Sequence, residues 1–82
     1  METLTLYDGT IVNGHCSEDD FNLYVYLDGM SLVEGVVLFG DPQKTQMIVA
    51  LNHGNEHTYE GYTEIYSASH EFGNCNLVMR RA

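Results

Sequence analysis

The sequence predicts an α+β domain: one short helix packed on a curved, mainly antiparallel sheet of about five or six strands, in the order β-β-β-α-β-β-β. Three observations carry this. Segments of alternating polar and apolar residues lie on both sides of a single helical stretch. That stretch, within Asp28–Leu51, has a marked start and a marked stop and leads straight into a strand. Eighty-two residues, 44% of them aliphatic or aromatic, suffice for one folded domain over 1–82 and no more.

Each element follows from local pattern. Glu2–Tyr7 alternates, with Leu4 and Leu6 on one face. Asp8-Gly9 is a turn signal, and Thr10–His15 reads as the return strand. Ser17-Glu18-Asp19-Asp20 reads as an acidic loop. In Phe21–Leu27, Phe21, Leu23, Val25 and Leu27 point one way, and Asn22, Tyr24, Tyr26 and Asp28 the other. Ser31 is placed to cap the helix, with Glu34 reaching back to its amide. Leu32, Val36 and Phe39 form the apolar stripe, with Val33 and Val37 beside it. Gly40 suits a left-handed position after the helix, and Pro42 blocks its continuation. Met47–Leu51 is a strand, and Asn52–Asn55 a turn centred on His53-Gly54. Glu56–Ser69 reads as one long strand with a bulge at Gly61, showing Tyr59, Thr63 and Ile65 on one face and Glu60, Tyr62, Glu64 and Tyr66 on the other. Phe72-Gly73-Asn74 turns the chain into a last strand, Asn76–Arg80. The expected core is Leu4, Leu6, Phe21, Leu23, Val25, Leu27, Leu32, Val36, Phe39, Val49, Leu51, Ile65 and Leu77.

Charge excludes some partners. Twelve Asp and Glu face only Lys44, Arg80 and Arg81, for a formal charge of −9. A phosphate backbone requires several cations in one patch, so neither nucleic acid nor an anionic membrane is an expected partner. Negative charge also keeps a small domain soluble, which is the plainer reading of the imbalance. Met-Glu-Thr-Leu lacks the basic and apolar regions of an export signal, and no apolar run approaches the ~20 residues that span a bilayer. Cys16 and Cys75 match no metal or redox spacing; reduced thiols are expected, and a bridge between them stays an open alternative.

No motif carries reaction chemistry, so no catalytic, metal-binding or cofactor-binding residue is expected. His53-Gly54-Asn55-Glu56-His57 spells the H-x-x-E-H of inverted zinc proteases, but that chemistry needs a helix, and Gly54 and Asn55 favour a turn. Gly40–Thr45 ends in Lys-Thr yet lacks the glycine before the lysine, and it follows a helix where a phosphate loop precedes one. His15 and Cys16 are strand neighbours that point apart. His70, beside Glu71 at a turn, reads as a surface group.

Tyrosine is the suggestive feature. Tyr24, Tyr26, Tyr62 and Tyr66 fall opposite the core, with Glu60 and Glu64 alternating with the last two. On neighbouring strands they would make an aromatic, acid-rimmed interface, tyrosine giving rigid area and a hydroxyl. The same residues could instead only stabilise an exposed sheet face by cross-strand pairing.

Three segments, Leu6-Tyr7-Asp8-Gly9-Thr10, Met30–Thr45 and Thr58-Tyr59-Glu60-Gly61-Tyr62-Thr63, resemble small, mostly uncharacterised proteins of prophages and mobile elements in Gram-positive gut bacteria, often encoded near tail and other structural genes. The middle segment, a capped helix followed by Asp-Pro-x-Lys-Thr, is the most specific. The resemblance implies a phage-derived structural or interaction role, in a bacterial cytoplasm or on a virion. No established activity comes with it, so no functional residue is carried over.

The expectation is therefore a non-enzymatic module that binds a protein partner, or its own copies as a homo-oligomer, through sheet edges and the tyrosine face. The alternative is an acidic decoy that inhibits a basic nucleic-acid-binding partner, which requires a continuous stripe of carboxylates. A small hydrolase or metal enzyme is a third reading, and requires a concave pocket with converging His and carboxylate groups.

Overall fold

A computed structural model describes residues 2–82. The chain runs β1 (Glu2–Thr5), β2 (Ile11–Glu18), β3 (Asn22–Leu27), α1 (Leu32–Phe39), α2 (Pro42–Thr45), β4 (Met47–Asn52), β5 (Asn55–Glu60), β6 (Glu64–Glu71) and β7 (Asn74–Arg80). All seven strands join one antiparallel sheet in the order β5-β4-β1-β2-β3-β7-β6. The class and the order of elements are as expected; the strand number is higher.

β2 holds the sheet together. Its first part, Ile11–Asn13, pairs with β1, and its second part, Gly14–Glu18, pairs with β3. It changes partner at Gly14, where a Cβ would collide with the Tyr26 carbonyl oxygen. Only glycine admits so close a backbone.

The extra strand comes from Glu56–Ser69. It is not one bulged strand: Gly61, at φ 83, turns the chain, and Gly61–Thr63 links β5 to β6. These are the two opposite edges of the sheet. A flat seven-stranded sheet would hold its edges roughly 29 Å apart. The link, Glu60 to Glu64, spans at most roughly 14 Å. The sheet must therefore curl until its edges approach at one corner. A bulge does occur, but at Tyr66, where β6 slips one residue against β7.

α1 starts as the sequence implies. Ser31 Oγ accepts from the Glu34 N–H at 3.2 Å, and its hydroxyl donates to Glu34 Oε1 at 3.4 Å, so the carboxylate meets the hydroxyl and not the Ser31 amide. The end differs. Gly40 is right-handed (φ −80), and its N–H donates to the Val36 carbonyl at 2.8 Å. Asp41 then caps a second, four-residue helix, with Pro42 in its first turn. Pro42 begins a helix here because its missing N–H is one that a first turn leaves unpaired anyway.

The core is one cluster: Leu4, Leu6, Val12, Leu23, Val25, Leu27, Phe39, Ile48, Ala50, Tyr62, Cys75, Leu77 and Met79, with Ile65 packed against it. Five expected members are absent. Phe21 precedes β3 and is 77% exposed. Leu32 and Val36 are more than one-third exposed, because α1 buries Gly35 and Phe39 instead. Gly35 lies so close to the Cys75 sulfur that a Cβ would overlap it, and this close seat rotates the valines outward. Val49 and Leu51 face away because β4 pairs Ala50 with the buried Leu4, which sends Ile48 and Ala50 inward. In the unbroken apolar run Met47–Leu51, alternation alone does not choose a face.

Candidate binding surface

Of the sequence-derived site residues, Tyr24, Tyr26, Tyr66 and Glu64 lie on or beside the outer face of β2-β3-β7-β6. In antiparallel ladders, directly opposed residues share a face. One row across this face is His15, Tyr26, Asn76 and Ser69. The next is Ser17, Tyr24, Val78 and Ser67. These eight positions hold no Asp, Glu, Lys or Arg, in a chain with twelve acidic residues. Charge begins at the margins: Glu71 beyond the first row, Arg80 and Glu64 beyond the second. Tyr24, Tyr26, His15, Asn76 and Val78 are half-buried by their neighbours, and the serines are exposed. The His15 and Tyr26 rings stack at 4.7 Å and 27°.

Tyr24 is pinned from the β2–β3 turn. Asp19 Oδ1 accepts from the N–H groups of Phe21 and Asn22 at 3.0 and 2.8 Å, and Asp19 Oδ2 accepts from the Tyr24 hydroxyl at 2.7 Å. The bond from Tyr24 is the chief reason, ahead of the two amides, that the Asp19 carboxyl sits at about 2 instead of 3.8. The same bond raises the Tyr24 phenol, which stays neutral. Asn22 Nδ2 donates to the Tyr24 oxygen at 3.2 Å, and Asn22 Oδ1 accepts from Arg80 Nε at 2.8 Å. The Arg80 guanidinium lies 3.4 Å over the Tyr66 ring. Tyr24 and Tyr66 are thus joined through Asn22 and Arg80.

Tyr62 does not belong to this face. It is 1% exposed and packs into the core, because the turn at Gly61 resets the alternation on which its outward placement depended. Its hydroxyl donates to Glu18 Oε2, and Arg81 lies 4.1 Å over its ring. Burial first, then the bond to Glu18, raises its phenol. Arg81 also contacts Glu18 at 3.7 Å and donates from Nε to the Glu60 carbonyl at 3.2 Å. Glu60 ends β5 and Glu64 opens β6, on either side of the buried Tyr62. The interface reading thus keeps Tyr24, Tyr26 and Tyr66, with Glu64 on the rim, and loses Tyr62.

The remaining chemistry-bearing groups do not converge. His53 lies in a hairpin turn at φ 50 and His57 on β5, so H-x-x-E-H spans a hairpin. Among the described residues, no three His, Cys, Asp or Glu gather as a metal site would require. Cys16 and Cys75 are both free thiols; burial pushes Cys16 up to about 12 and Cys75 in the same direction. Lys44 pairs with Asp8 at 4.0 Å. An open notch of about 460 Å³ is lined by Asp20, Phe21, Asn22, Arg80 and Arg81, without a histidine. No helix among the described residues is long and apolar enough to cross a membrane.

From sequence Asn22 falls on the face of Tyr24 and Tyr26, but Asn76, Arg80 and the serines Ser17, Ser67 and Ser69 are not read as parts of this surface. A signal for Asn76 was present: Asn76 alternates with the apolar Cys75 and Leu77. The serines show only once the strand register is known. The chain matches no protein-family model, no curated protein and no solved structure.

Proposed function

We propose that this is a non-enzymatic, phage-derived structural or accessory module that acts through protein–protein contacts, in a bacterial cytoplasm or on a virion. One observation carries the reading: the two central rows of the outer face collect Tyr, Asn, Ser and His, with no charge, on an otherwise strongly acidic chain. Such a composition suits recognition. Tyrosine offers rigid area at low entropic cost, while serine and asparagine adapt their hydrogen bonds. The uncharged centre with charge at its margins also matches the usual core and rim of an interface.

The acidic-decoy reading draws on the −9 charge, and all three cations are engaged within the chain. It calls for a stripe. The carboxylates instead occupy separate places: β1 (Glu2), the β1–β2 turn (Asp8), the end of β2 with the β2–β3 turn (Glu18, Asp19, Asp20), the β3–α1 link (Asp28), α1 (Glu34), the α1–α2 link (Asp41), β5 (Glu56, Glu60) and the two ends of β6 (Glu64, Glu71). Interface binding is therefore the better-supported reading. A partner isolated by affinity capture from the encoding cell and titrated against the Tyr24→Ser/Tyr66→Ser double variant separates the two. The interface reading expects weakened binding with the fold retained; the decoy reading expects unchanged binding that falls steeply with salt.

A further inference from the structure

We propose that the protein forms a two-fold dimer in which β6 pairs antiparallel with the β6 of a second copy, centred on Ser69. This goes beyond the binding face above and stands without it.

β5 and β6 are the edges of the sheet. An open edge presents unpaired backbone donors and acceptors, and proteins usually guard it with charge, proline or a bulge. β5 is guarded by Glu56 and Glu60. β6 carries Glu64 and the Tyr66 bulge at its start and Glu71 at its end, which leaves its middle unguarded. From Ser67 to His70 it pairs regularly with β7, all four side chains are exposed, and they are Ser, Ala, Ser and His.

The occupant that fits is the same strand, reversed. Centring on Ser69 sets it against the partner's Ser69, Ala68 against the partner's His70, and Ser67 against the partner's Glu71. No carboxylate then faces a carboxylate. Centring between Ser67 and Ala68 would instead oppose Glu64 to the partner's Glu71, which like charge disfavours. The Ser69 register also sets Phe72 opposite the partner's Tyr66. Phe72 is 98% exposed and held at φ 53 in the β6–β7 turn, a conformation that costs a bulky residue energy and that asparagine or glycine would adopt more easily. Tyr66 is 62% exposed, with Arg80 stacked on its ring. Joining the two aromatic rings gives each a partner.

A stable pair needs the helix as well. A stable interface takes roughly 800 Å² from each partner, about one-sixth of the 4867 Å² surface of this chain. Five paired residues and two aromatic contacts fall short of that. α1 packs on β6 and β7, on the side of the buried Leu27 and Cys75. With the two-fold axis perpendicular to the sheet, both copies of α1 lie on the same side of the joined sheet, each with the exposed apolar residues Leu32, Val33, Val36 and Val37.

Sedimentation equilibrium of the full chain over a concentration series tests this. The mass should rise from 9.2 kDa towards twice that value. Ser69→Lys, which opposes two cations at the axis, should raise the dimer dissociation constant at least about tenfold without changing the circular dichroism. Ser69→Cys should form an interchain disulfide on mild oxidation, since directly opposed residues bring their Cβ atoms to about 4.5 Å, within reach of a disulfide. Thr58→Cys on the other edge should not; of the native thiols, Cys75 is buried and Cys16 half-buried. A constant 9.2 kDa, a Ser69→Lys dimer as tight as the wild type, or equal cross-linking at Thr58 would overturn the proposal.

Discussion

At the residue scale, the architecture depends most on Gly14. It stands where β2 leaves β1 for β3, against the Tyr26 carbonyl. Gly14→Ala has no side-chain end to displace, only backbone, so it is expected to cost about 3 kcal/mol in urea denaturation. Asp19 makes a different claim. Its folded carboxyl is held down to about 2, against an ordinary 3.8. A depressed folded value means the stabilising contribution is complete above about pH 4 and is lost as pH falls towards 2. An NMR titration should show Asp19 protonating near pH 2, and Asp19→Asn should flatten the loss of stability between pH 4 and pH 2. Neither residue was legible as special. Gly14 sits inside an ordinary strand pattern, and Asp19 in what reads as a solvated acidic run. Each acquires its role from a neighbour that only tertiary pairing supplies.

At the element scale, α1 pairs a well-read start with a misjudged face. The Ser31 cap was legible because capping is local. The buried stripe was not, because Leu32, Val33, Val36 and Val37 are as apolar as Phe39, and composition alone does not say which side meets the sheet. The close approach of Gly35 to Cys75 decides it. Val33 and Val37 are 73% and 65% exposed, so they carry the helix cost of β-branching with little burial to offset it. Val33→Ala and Val37→Ala are therefore expected to stabilise the isolated domain by about 0.5 kcal/mol each, read from thermal unfolding. Destabilisation would mean that these valines pack within the domain. The division of Glu56–Ser69 into β5 and β6 was half legible. Gly61 was marked as an irregularity, but a bulge and a reversal look alike in sequence, and whether the two segments lie on one strand or on opposite edges depends on the closure of the whole sheet.

At the scale of the whole molecule, charge and curvature together define the surface. The sheet curls around one core, and its outer face over β2-β3-β7-β6 is left open with two uncharged rows. The class of fold, the position of α1 and three of the four tyrosines of this region could be placed from local pattern; α2 could not. The position of Tyr62 could not, since the turn at Gly61 takes it out of the strand alternation that Glu64 and Tyr66 keep. The claim that this face does the binding is tested most directly by titrating the captured partner against two charge insertions. Asn76→Asp puts a carboxylate into the centre of the uncharged rows; Thr58→Asp puts one on the distant β5 edge. At least a tenfold loss of affinity for Asn76→Asp, with Thr58→Asp binding like the wild type, is the expected result. Unchanged binding by Asn76→Asp, or an equal loss in both variants, would contradict it.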